Sequence, residues 1–196
     1  MKTIGLRTTK PWFVLMLLAF TPASPAFGQT APANQSADNE YQQGAVLWTQ
    51  TSGERNALSY QAFALARIIL DRDLGKNRSN RLKRAVIVDI DETIVDNGSY
   101  QAMLLKTHQN FNSQNWTEWV NRAEATAIPG AVEFLRYAAS RGVRIFYITG
   151  RKAIEKPATI VNLKKLGFPD ISDQTVQVQT NQSSSKESRR QLVSRQ

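Results

Sequence analysis

Cysteine is absent from all 196 residues. That absence removes disulfides, thiolate metal sites and a lipid-bearing N-terminal cysteine at once. Histidine is nearly absent as well: His108 stands alone in a polar stretch, where it is expected to face solvent rather than serve as a general acid. Acids are scarce beside bases, 16 against 25, for a net charge of +9. Long apolar runs are missing except for Phe13 to Phe20, which is too short to act as a stop-transfer helix.

That single run belongs to a leader. Lys2, Arg7 and Lys10 precede it, and Ala23, Ser24, Ala26 and Gly28 follow, which is the three-part pattern of a secretory signal peptide over residues 1–28. Cleavage is expected between Ala26 and Gly28, and the expected location is periplasmic or secreted, with no stable membrane anchor after cleavage. Three of the nine net charges sit in this leader, which contains no acid, leaving +6 for the remainder. The small basic cluster at Lys186, Arg189, Arg190 and Arg195 reads as a solvated helix face or a phosphate partner, and no nucleic-acid polymer is expected to bind. Residues 29–42 read as a polar, disordered leader, and residues 43–196 as one domain with no internal repeat.

Within that domain, Thr51 and Glu54 form a capping-box pattern, and Leu58, Ala62, Leu65, Ala66 and Ile69 recur at helical spacing until Gly75. A β-branched strand is expected over Ala85 to Ile90. Two short helices are expected between Gly98 and Ala127, the second capped by Asn115 and Glu118. A helix opened by Pro129 runs to Ser140, with Gly142 past its end. Strands over Val143 to Ile148 and Thr175 to Gln179 flank a helix over Glu155 to Leu166. Alternating strands and helices at these spacings predict an α/β fold, a parallel sheet with helices on both faces.

The chemistry follows from the strand ends, where open α/β sheets place their sites. The first strand delivers Asp89 and Asp91, two residues apart and so on one side. The second delivers Thr149, Gly150 and Arg151, and the segment after the third delivers Ser183 to Lys186. A carboxylate nucleophile, a second carboxyl to give and take a proton, and donors for phosphoryl oxygens suit a phosphate ester. Paired carboxylates repel each other and an incoming phosphate, so a divalent cation is expected, Mg²⁺ being favoured by all-oxygen ligands. Trp48, Tyr100, Trp116 and Trp119 could stack on a nucleobase, but packing is the preferred reading. Asp96 and Asn97 are expected to shape the loop rather than carry out a step.

Asp-Ile-Asp-Glu-Thr-Ile-Val-Asp-Asn at 89–97 resembles the first motif of the haloacid dehalogenase (HAD) superfamily, in the form found in class C acid phosphatases and lipoprotein e type 5'-nucleotidases. Three further stretches resemble the same family: Leu47 to Glu54, Ile128 to Ala131 together with Phe146 to Arg151, and Ser184 to Glu187. The resemblance runs from about Gln43 to the last residue. It implies a HAD-like Rossmannoid sheet with a small helical cap insert. It further implies that Asp89 attacks phosphorus, that Asp91 protonates the leaving alcohol and then activates water, and that Thr149 and Gly150 bind the phosphoryl group with Lys186. Mg²⁺ would be held by the Asp89 side chain and the Asp91 carbonyl. The implied substrate is a small phosphomonoester, nucleoside monophosphates among them.

Two departures from that pattern shape the expectations. The lipid-bearing cysteine of many members is missing, so membrane anchoring is not carried over. The family's fourth motif, Gly-Asp-Asn-x-x-Asp-Phe at the end of a fourth strand, is also missing; the fold is therefore expected to be incomplete at the C-terminus, with the first strand at an open sheet edge. A truncated, catalytically impaired relative that at most binds phosphate stays as the alternative. A receiver-like signalling domain fits poorly with export and with Asp-x-Asp-x-Thr. Substrate identity and oligomeric state are not fixed by the sequence.

Overall fold

The run of β-branched residues before the paired aspartates does form a strand, because Val and Ile fit a pleated, half-buried surface. A computed structural model describes residues 39–76, 84–180 and 185–195 of the chain. In order, the elements are helices α1 (Gln43–Thr51) and α2 (Gly53–Lys76), strands β1 (Ala85–Val88) and β2 (Val95–Asp96), and helices α3 (Gly98–Lys106) and α4 (Ser113–Arg122). Then come β3 (Thr126–Ala127), α5 (Ala131–Ser140), β4 (Arg144–Lys152), α6 (Lys156–Leu166), β5 (Val176–Gln179) and α7 (Glu187–Ser194). The expected signal peptide, and the expected leader up to residue 38, lie outside the described residues.

The main sheet is parallel, in the order β1-β4-β5. Val88 pairs with Tyr147 and Tyr147 with Val176, so all three strands end on the same side. One face carries Ile145, Tyr147 and Val176 into a core shared with Ile90, Ile94, Tyr100, Leu135 and Ala138. Burying each large apolar side chain of this kind contributes about 1.5–3 kcal/mol. On the other face, Phe146 and Ile148 pack with Val193 of α7. Among the described residues β1 has β4 as its sole strand partner, and Ile87 remains 39% exposed, which is the open edge that the sequence predicts.

Between β1 and β2 the chain makes one tight loop. The Ile90 carbonyl accepts from the backbone N–H groups of Thr93, Ile94 and Val95, and Glu92 sits at φ 53. The antiparallel pair β2 and β3 then forms a stem from which α3 and α4 project as the cap insert.

Several local expectations shift. Residues 40–42, placed in the disordered leader, form a 3₁₀ turn, and the buried Asn39 amide donates to the carbonyls of Leu104 and Gln109. The cap of α2 is Ser52, one residue later than expected, because Thr51 is spent as the last residue of α1. The cap of α4 is Asn112, in a reciprocal box with Asn115. Helix α5 starts at Ala131, since Gly130 takes φ 85, outside helical space. Strand β1 stops at Val88, where the tight loop begins. Strand β4 runs on through Thr149 and Arg151, because a register shift between Ile148 and Lys152 keeps it paired with β5. In α2 the stripe against the core is Phe63, Ala66, Leu70 and Leu74. Leu58, Leu65 and Ile69 are exposed instead, because Phe63 and Phe134 meet at 5.9 Å and fix which face turns toward α5.

Candidate active site

The C-terminal ends of β1, β4 and β5 place the paired aspartates beside residues in the last part of β4 and in the segment after β5. Asp89 follows the last residue of β1, and its Oδ1 accepts the backbone N–H of Ile90 at 2.8 Å. The same oxygen lies 2.6 Å from Nζ of Lys186, the residue that leads into α7. Asp91 follows in the tight loop, and its carboxylate meets β4. Thr149 Oγ1 donates to Oδ2 at 3.3 Å, and the Arg151 guanidinium reaches both oxygens, with Nη2 at 2.7 Å from Oδ1. Asn97 Nδ2 donates to Oδ1 of Asp91 at 2.9 Å and to Glu92 at 3.1 Å.

Thus the structure brings Lys186 onto Asp89 and Thr149 onto Asp91, whereas the resemblance implies Thr149 on the phosphoryl group. The Thr149 hydroxyl is engaged by Asp91 and by the Arg151 backbone N–H rather than pointing free into the site. Gly150 is exposed, and a Cβ built there would meet nothing within 4 Å, so its backbone can be approached closely. Ser183 and Ser184 lie outside the described residues. His108 is exposed, as expected. Tyr100 and Trp119 are buried in an aromatic cluster with Trp116, so the packing reading holds for them.

Three residues were not assigned roles from the sequence. Arg151 is 3% exposed and forms the ion pair with Asp91. Asn97, expected only to shape the loop, touches Asp91 directly. Arg189, read with its cluster as a solvated helix face or a phosphate partner, donates from Nη1 to the Thr149 carbonyl at 2.6 Å and to the Gln177 carbonyl at 3.3 Å. It thereby ties α7 to the ends of β4 and β5. Loss of water lowers its proton affinity, and the nearby Asp89 carboxylate works against that shift. Glu92 is exposed as a residue, yet its carboxylate is crowded. Desolvation and the charge of Asp91 push its pKa up, and the hydrogen bonds from Asn97 oppose them.

The donors available to a cation are hard oxygens, the Asp89 carboxylate and the Asp91 carbonyl. Among the described residues no cluster of three His, Cys, Asp or Glu side chains gathers to form a cage. Two protein oxygens fit a cation that keeps several waters and takes the rest of its ligands from a phosphate, as Mg²⁺ ordinarily does.

The chain is similar in structure to the class C acid phosphatase from Bacillus anthracis, with 41% identity, a TM-score of 0.75, and coverage of 80% of this chain and 64% of that one. The same enzyme with tungstate bound gives the same TM-score and identity over 65% of its chain. Among curated relatives, a stem 28 kDa glycoprotein of Glycine max is 31% identical over 44% of this chain. Acid phosphatase 1 of Solanum lycopersicum is 27% identical over 43% of it. The chain spans about a third of those relatives' length, 34% and 33%. Acid phosphatases of the HAD superfamily are generally metal-dependent. Residues 26–196 match the family described as HAD superfamily, subfamily IIIB (acid phosphatase), and the chain belongs to that family.

Proposed function

We propose that this protein is an exported, Mg²⁺-dependent acid phosphatase that hydrolyses small phosphomonoesters, nucleoside monophosphates among them, through an aspartyl-phosphate intermediate. The observation that carries the reading is the contact of Lys186 with Oδ1 of Asp89 at 2.6 Å, with Asp91 held alongside.

The two oxygens of Asp89 have different work. Oδ1 is occupied by the Ile90 N–H and the Lys186 ammonium, which leaves Oδ2 as the attacking atom. Attack by Oδ2 forms the new bond to phosphorus as the bond to the leaving oxygen breaks, and Asp91 supplies the proton that the leaving oxygen takes up. Water then attacks phosphorus, Asp91 takes its proton, and phosphate departs with the Asp89 carboxylate restored. Lys186 offsets the negative charge that gathers on the phosphoryl oxygens. The Thr149 hydroxyl, now on Asp91, is one rotation from a phosphoryl oxygen, and the open approach to Gly150 gives that group room. The Asp89 carboxylate and the Asp91 carbonyl would hold the cation, which when bound would polarise the phosphoryl group and screen its charge from the two aspartates.

The test is phosphate release from a phosphomonoester at mildly acidic pH, with and without Mg²⁺, for the protein and for Asp89→Asn. Equal rates for the two proteins would sink the catalytic reading. Binding of inorganic phosphate without turnover would support the alternative, an impaired relative that keeps the site but not the chemistry.

A further inference from the structure

The two oxygens of Asp91 are held very unequally. Oδ1 receives three donors: Arg151 Nη2 at 2.7 Å, Asn97 Nδ2 at 2.9 Å and Arg151 Nε at 3.1 Å. Oδ2 has only two long contacts, Arg151 Nε at 3.2 Å and Thr149 Oγ1 at 3.3 Å. The donors on Oδ1 are themselves fixed. Arg151 is buried, its Nη1 donates to Thr159 Oγ1 of α6 at 3.1 Å, and its guanidinium lies 5.7 Å from the centre of the Trp116 ring. Asn97 is fully buried, and its Oδ1 accepts the indole N–H of Trp119 at 2.9 Å. Trp116 and Trp119 both belong to α4, so the cap insert presses on both supports.

We propose that Arg151 and Asn97 are positioning residues that immobilise Oδ1 of Asp91, leaving Oδ2 as the oxygen that hands the proton to the leaving group. The inference rests on the phosphatase reading and deepens it. The Arg151 Nε is shared between the two oxygens, so the difference lies in the others: Oδ1 would have to give up contacts at 2.7 and 2.9 Å to carry a proton, whereas Oδ2 would give up only the Thr149 hydroxyl at 3.3 Å. Fixing one oxygen also sets the rotation of the carboxyl group, which fixes where the other oxygen points. A proton transfer tolerates little misplacement, so these supports matter in proportion to how much the leaving group needs a proton. An alkoxide needs one badly. A nitrophenolate leaves without one.

The experiment compares kcat/KM for glycerol 2-phosphate and p-nitrophenyl phosphate in the full chain, in Arg151→Gln and in Asn97→Ser, with circular dichroism to confirm that each variant folds. This ratio isolates phosphoryl transfer from the later hydrolysis, in which the two esters share one intermediate. Both variants are expected to lose about 100-fold on glycerol 2-phosphate and no more than about threefold on p-nitrophenyl phosphate. In an Asp91→Asn background neither substitution is expected to change the ratio further, because the residues act through Asp91. Should Arg151→Gln fail to fold, Asn97→Ser carries the same comparison. Equal losses on both esters in a folded variant would overturn the positioning role while leaving the phosphatase reading in place. No phosphate release from either ester by the unsubstituted chain would remove both.

Discussion

Nζ of Lys186 and Oδ1 of Asp89 lie 2.6 Å apart, although the first precedes the last described helix and the second follows the first strand. The ammonium takes the oxygen that also accepts the Ile90 N–H, so it sets the orientation of the carboxylate as well as its charge environment. Lys186→Met removes the cation but keeps the length of the side chain. Loss of one such donor is expected to lower kcat/KM for a phosphomonoester about 10²- to 10³-fold. Steady-state phosphate release checks it, and Lys186→Arg is expected to recover part of the loss.

Arg189 governs whether Lys186 can arrive. Helix α7 is short, and in the sheet it rests on Val193 against Phe146 and Ile148 and on the guanidinium of Arg189 across the Thr149 and Gln177 carbonyls. Arg189→Met is expected to raise the dissociation constant for inorganic phosphate about tenfold, measured by calorimetry. If Arg189 works by holding α7 in place, Arg189→Met combined with Lys186→Met is expected to bind no more weakly than Lys186→Met alone. Full additivity would show that Arg189 acts on phosphate directly.

What could be read from the chain and what could not divides along a physical line. Asp89, Asp91, Thr149 and Lys186 stand at or just past predicted strand ends, and a parallel sheet forces such ends onto one edge, so their meeting was legible before any coordinates. Arg151 was harder. It stands beyond the expected end of the strand at Ile148, and the register shift that extends β4 carries it into the strand, where its guanidinium meets Asp91. The contact of Asn97 with Asp91 could not be read from the chain, because a loop-shaping amide and a carboxylate-holding amide look alike in sequence. The burial of its side chain and the indole N–H of Trp119 distinguish them. In α2 two apolar stripes compete, and periodicity cannot rank them; contact with α5 does.

Gly130 gives a stability prediction of known sign. It sits at φ 85, and a Cβ there would lie 3.1 Å from Tyr60 Cδ1 and 3.3 Å from Phe63 Cδ2 on α2. Gly130→Ala therefore incurs left-handed backbone strain and crowds a packed helix contact together. The expected cost is about 2 kcal/mol, read from the shift in the urea midpoint at unchanged slope.

Alkaline stability should carry the mark of Tyr147. Its hydroxyl donates to the Pro169 carbonyl at 2.7 Å, and burial, helped by the charge of Asp170, raises its pKa well above the ordinary tyrosine value of 10.0. Burial raises Tyr100 in the same direction. In the unfolded chain these phenols release their protons near pH 10, whereas in the fold they keep them. The folded state therefore binds more protons, and its stability falls as pH rises past that point, by up to about 1.4 kcal/mol per unit for each tyrosine. Below pH 10 the contribution is complete and constant. Tyr147→Phe removes one of the two phenols. Its unfolding free energy, measured from pH 8 upward by urea titration, is expected to start lower for want of the Pro169 hydrogen bond and then to decline less steeply than that of the unsubstituted chain. Parallel decline of the two curves would mean that Tyr147 titrates in the fold much as it does in the open chain.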